Sequence, residues 1–135
     1  MKKLLSTHYS AGAFNFAILI LRLGVGILMM HHGYDKLVHF NMYKEQFVSF
    51  LGLSNSFSLC LDIFAEFFCS MFLILGLFTR FATIPLIVVA SFALFHVHGG
   101  DYFGKGELIT HYLISYLVLL IIGPGKVSVD GLIGK

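Results

Sequence analysis

The chain has 135 residues, 58% of them hydrophobic and only 12% charged, with a formal charge of +2 and a mean hydropathy of +0.89. A soluble domain uses about 25% charged residues to cover its surface, so this composition excludes an ordinary soluble enzyme. A small charge carried by scattered lysines excludes a nucleic-acid partner, and long apolar blocks point to an integral membrane protein of one domain, residues 1–135.

In chain order, "MKK" would serve as the start of a secretory signal. Polar "STHYS", Arg22 in the apolar block and the lack of an A-x-A site argue instead for an uncleaved segment. The first apolar block, Ala11 to Met30, is interrupted by Asn15 and Arg22 and closes on "MMHHGYDKL"; a helix is expected over about 11–36. Residues 39–56, "HFNMYKEQFVSFLGLSNS", read as a short interfacial helix and a turn. A second helix is expected over about 57–78, with Asp62 and Glu66 inside it. The short link "GLFTR" then makes a third helix, about 81–97, its antiparallel neighbour. Glycine-rich "HGGDYFGKGE" leads to a fourth helix, about 107–123, carrying Glu107 and His111 and stopped by "GPGK". The expected fold is all-α, an integral membrane four-helix transmembrane bundle, in which polar residues turn inward and the lipid bilayer is the outer partner.

Alternation of four spans sorts these residues by depth. His31, His32, Asp35, Asp62, His96, His98, Glu107 and His111 all fall toward one side, with Glu66 near the middle. Placing Lys2, Lys3, Arg80, Lys126 and Lys135 inside, against Lys36, Lys44 and Lys105 outside, gives both termini in the cytoplasm of a bacterial inner membrane. Helical phase adds a second constraint. Asp62, Glu66 and Ser70 share a face, as do Glu107, His111 and Ser115 on the fourth helix. On the first helix Arg22, Gly26, Met29, Gly33 and Lys36 share a sector with His32 at its edge, whereas His31, Asp35 and Lys36 also read as a helix end snorkelling toward water.

These faces are expected to converge inside, making His32 the interior histidine. A mid-helix arginine costs roughly 2.5–3.5 kcal/mol to insert, so Arg22 needs a partner, and Glu66 is the first choice. Such a pair serves equally as a register-fixing ion pair or as part of a proton or anion site.

"LRLGVGILMMHHGYDKL", "AEFFCSMFLILGLFTRFAT" and "GPGKVSVDG" together resemble the DoxX family: a helix-1 arginine followed by His-Gly and lysine, a helix-2 glutamate followed by Gly-Leu-x-Thr-Arg, and a closing Gly-Pro-Gly segment with Asp. By that resemblance Arg22, His32, Gly33, Lys36, Glu66, Arg80, Glu107 and Asp130 occupy characteristic positions. The resemblance implies a four-helix inner-membrane protein linked by name to quinol oxidation and to a thiosulfate:quinone oxidoreductase. It fixes fold more firmly than function.

Three functions stay open. In the first, the chain is a quinone-interacting subunit or accessory of a membrane oxidoreductase. Its catalytic candidates are Arg22, His32, Glu66 and His111, and its cofactor-binding candidates His32, Lys36, Asp62, Glu66, Glu107 and His111, with Phe67, Phe68 or Tyr112 as walls. In the second it is a non-catalytic assembly or transport module, acting with oxidoreductase subunits or as a homo-oligomer through Gly24, Gly26 and Gly33. In the third His96, His98, Glu107 and His111 hold a metal or haem. Cys60 and Cys69 lie roughly 13 Å apart along one helix, too far to pair, so thiol catalysis by this chain alone is not expected.

Overall fold

The structure is a computed structural model, and it describes residues 2–46, 54–97, 99, 103–104 and 106–133. Among these residues every regular element is helical. Short α1 (Lys2–Leu5) precedes α2 (Ala11–Val38), which starts where the Ser10 side chain accepts the Ala13 N–H. Next comes α3 (Phe40–Gln46). After the undescribed residues 47–53, which held part of the expected interfacial segment and turn, Ser54 caps α4 (Asn55–Ile63) by accepting the Phe57 N–H. The helix then widens into a π-helical turn, Phe64–Cys69, and resumes as α5 (Ser70–Leu75). α6 (Thr79–Phe92) also ends in π-helical winding, Ala93–Val97, and α7 (Glu107–Ile122) and short α8 (Val129–Ile133) complete the chain.

Two helical stretches, Ala11–Val38 and Ser56–Leu75, are long and apolar enough to cross a membrane. α2 packs along the π turn and α5, α6 packs on α7, and the π turn joins the two pairs through α6. Between them lies a core of Met29, Ala65, Leu73, Leu86, Tyr116 and Leu119. The outer surface carries large apolar side chains such as Phe16, Ile27, Phe81 and Ile121, the arrangement of a chain whose solvent is hydrocarbon.

Glycine sets the register of α2. A Cβ on Gly33 would lie 2.7 Å from the Phe67 nitrogen and 2.9 Å from the Glu66 carbonyl carbon, so the bare backbone of α2 rests directly on the π turn. Gly26, two turns earlier, abuts Ile74 and the Ser70 carbonyl, whereas Gly24 has open space and lies outside this seam. With Gly33 level with Glu66 and the helices antiparallel, Arg22 is level with the C-terminus of α5. It is therefore about 16 Å along the axis from Glu66.

At that end Gly76 closes α5 in the left-handed conformation (φ 72°). The Gly76 N–H bonds to Leu73 O and the Leu77 N–H to Phe72 O, a Schellman pattern. The missing side chain has a second use: a Cβ here would meet Ser128 and lie 2.8 Å from the Arg22 guanidinium.

Candidate functional site

The polar residues gather at the two ends of the helix bundle. At the end that carries both terminal segments, charged side chains bind backbone. Buried Arg22 donates to the carbonyls of Pro124 (2.6 Å), Val127 (2.9 Å) and, at 3.5 Å, Ile74. The expected Arg22–Glu66 pair does not form, because the glycine seam sets the two residues at different levels and three carbonyls meet the guanidinium instead. Arg80 donates to the last carbonyls of α7, Ile121 and Ile122, which have no partner within the helix. Asp130 accepts the N–H groups of Phe78 and Thr79 and so caps α6 with a negative charge at its positive pole. Asn15 accepts the Lys126 N–H. Three of the residues singled out by resemblance, Arg22, Arg80 and Asp130, thus tie the closing loop to three helix ends.

At the opposite end, charges meet one another. Lys36 Nζ lies 2.5 Å from Asp62 Oδ2 and 2.6 Å from Glu66 Oε2. The two carboxylate side chains are only 7% and 5% exposed, so this cluster is withdrawn from solvent. Lys36 therefore turns inward rather than snorkelling. Asp62, Glu66 and Ser70 are all buried on the shared face expected from their spacing.

The cluster is incompletely satisfied. Glu66 Oε1, Ser70 Oγ and the Tyr116 hydroxyl are buried without a hydrogen-bond partner among the described residues. An orphaned buried polar atom costs about 1–3 kcal/mol, so three of them in one interior region call for an explanation. Tyr112 and Tyr116 stack at 6.2 Å on α7, and both lie within range of the Glu66 charge.

The histidines are placed differently from expectation. His32 is exposed, although its ring packs T-shaped with that of Tyr112 at 6.1 Å and 84°. It precedes Gly33 and so lies about 100° round the helix from the buried seam. His31 is exposed as well. Glu107 and His111 do not join the cluster: they face each other at 3.8 Å and are 64% and 73% exposed. Ser115, expected on their interior face, donates to the His111 carbonyl and is half-buried. α7 carries aliphatic residues on every side beside its polar ones, and packing chose Tyr112, Tyr116 and Leu119 for its inner face. The side chain of His96 and all of His98 lie outside the described residues. Among those described, no three His, Cys, Asp or Glu residues come together to hold a metal.

Sequence reasoning missed Tyr116. The available signal was its spacing of four from Tyr112 within an otherwise aliphatic helix. In the last turn of α2, Asp35 accepts a 2.5 Å hydrogen bond from Tyr43 of α3 and lies 3.2 Å from His39. The bond to Asp35 raises the Tyr43 phenol above the ordinary tyrosine value.

The family model for DoxX matches residues 17–99, a stretch that contains Arg22, the glycine seam, the Lys36–Asp62–Glu66 cluster and Arg80. No curated protein and no solved structure matches the chain.

Proposed function

The chain belongs to the DoxX family and is a membrane protein of that type, and on that premise we propose that Lys36, Asp62 and Glu66 form a proton-holding site serving a membrane quinone. In this reading the four long helical segments cross a bacterial inner membrane with both termini in the cytoplasm. The chain acts there as a subunit or accessory of an oxidoreductase.

The observation that carries the reading is Glu66. One of its oxygens is held by Lys36 and the other is buried with no partner among the described residues. Two carboxylates on one ammonium leave a formal surplus of one negative charge in a low-dielectric interior, which favours retention of a proton by the pair. Lys36 fixes both carboxylates, Asp62 shares the charge, and Glu66 presents the free oxygen from which a proton can leave or to which it can return. The Tyr116 hydroxyl is a second unused donor in the same interior region, and Tyr112 and His32 offer aromatic faces beside it. These residues fit a flat ring bearing carbonyl acceptors: Tyr116 and a protonated Glu66 would donate to it, and Tyr112 would line it. When bound there, a quinone would supply the redox chemistry, a two-electron, two-proton conversion to the quinol whose electrons would come from an oxidoreductase partner and whose protons these side chains would hold.

A second reading has one observation of its own. The cluster lies beside the close contact of Gly33 with the π turn, so it also serves as a clamp between α2 and α4 in a module with no chemistry.

Infrared difference spectra of the purified protein across a pH jump, together with quinone analysis of its lipid extract, separate the two. A carboxylic-acid band lost in Glu66→Gln, with co-purifying quinone that is also lost in that variant, supports the proton site. No titrating carboxyl band and no quinone, with Glu66→Gln less stable than the parent, leaves the clamp.

A further inference from the structure

A groove of about 870 Å³ opens at the end of the bundle opposite the Lys36 cluster, where α2 begins, α6 begins and α7 ends. Its cations are Arg80 and Lys126, and Asp130 is the one carboxylate among its lining residues. Both Asp130 oxygens are already engaged by the Phe78 and Thr79 N–H groups. Arg80 uses only Nη2 on the α7 carbonyls, so its remaining N–H donors are uncommitted among the described residues. Lys126 is held through its backbone nitrogen by Asn15, and its ammonium makes no hydrogen bond or ion pair among the described residues. The free polar capacity of the groove is therefore that of a donor toward an anion.

Its walls are apolar. Phe78 is 50% exposed and Phe81 76% exposed, so the groove runs from the cationic helix ends onto a surface suited to acyl chains. Helix ends of a membrane protein lie at headgroup depth, where basic pockets between helices select anionic lipids. We propose that this groove binds an anionic phospholipid, with the headgroup phosphate on Arg80 and Lys126 and an acyl chain along Phe78 and Phe81. A soluble anion would use the cations but leave the aromatic wall idle, and a zwitterionic lipid would use the wall without needing a net positive headgroup site.

Native mass spectrometry of the full chain, released from mixed phosphatidylglycerol and phosphatidylcholine nanodiscs, tests this. The parent is expected to retain phosphatidylglycerol in preference to phosphatidylcholine. Lys126→Gln, which leaves the backbone bond to Asn15 in place, should lower that retention about fivefold, as expected for one cation at a membrane surface. Arg80→Gln should do the same where it folds, and Lys126→Gln carries the test where it does not. Lys44→Gln, on α3, should leave retention unchanged. The proposal is overturned if Lys126→Gln retains phosphatidylglycerol like the parent, if Lys44→Gln is equally impaired, or if phosphatidylcholine is held equally well. Displacement of the lipid by inorganic phosphate would also overturn it, by assigning the cations to a soluble anion.

Discussion

The two ends of the helix bundle use the same kinds of residue for opposite purposes. Where the termini meet, Arg22, Arg80 and Asp130 each engage backbone carbonyl or N–H groups. A helix end or a tight loop in an apolar chain leaves such groups without partners, and a charged side chain is a strong one. Around Lys36 the charges are set against each other, and an oxygen of Glu66 is left over. The first end is mainly mechanical, and its unused capacity is that of donors, with Arg22 Nε and the Thr79 hydroxyl also buried without a partner among the described residues. The second leaves a buried carboxylate oxygen unused, the property a proton-transfer site requires.

Removing the cation from each end tests this contrast most severely. Lys36→Met strands two buried carboxylates and should cost about 3–5 kcal/mol at neutral pH, read as a lowered unfolding midpoint in detergent. Acidification neutralises the stranded pair, so much of that loss should return as the pH falls. Arg22→Met should cost about 1–3 kcal/mol by leaving part-buried carbonyls unpaired. Asp130 is the carboxylate within range of Arg22, and it is held by two backbone N–H groups, so the deficit should vary less with pH than that of Lys36→Met. Equal pH dependence in the two variants would erase the distinction between the ends.

Smaller effects sharpen it. Gly33→Ala presses a Cβ onto backbone that cannot yield and should cost about 1–3 kcal/mol, while Gly24→Ala, with open space, should be neutral or mildly stabilising. Asp130→Ala removes the cap of α6 and should cost about 0.5–2 kcal/mol by thermal unfolding. His111→Ala, whose exposed side chain is paired with Glu107, should change stability by less than about 0.5 kcal/mol. A large loss there would mean that the exposed face of α7 is covered by a partner.

Much of this arrangement is legible in the residues. Spacing of four identifies the Asp62–Glu66–Ser70 face, and the Arg22–Gly26–Met29–Gly33 seam follows from the same periodicity. Both rows stand out because polar or small residues recur at helical intervals in an otherwise bulky apolar sequence. The inner face of α7 is illegible for the converse reason. With aliphatic residues on every side, burial has little to choose between, and of the polar row Glu107 and His111 lie outside while Ser115 is half-buried.

The pairing of charges is a further step beyond periodicity. Arg22 and Glu66 share buried faces, yet which carboxylate meets which cation depends on how far α2 slides along α5. Gly33 resting on the π turn decides that slide.

The sequence by itself determined a chain of apolar helices with an all-helical fold, because its apolar blocks and turn signals admit little else. It also determined which sides of α2 and of the Asp62–Glu66 helix turn inward. Only the tertiary structure decided that Lys36 takes both carboxylates, that Arg22 binds the closing loop, and that His32 and His111 stay outside. Such partnerships depend on axial register and rotation, which are set by contacts between residues far apart in the chain.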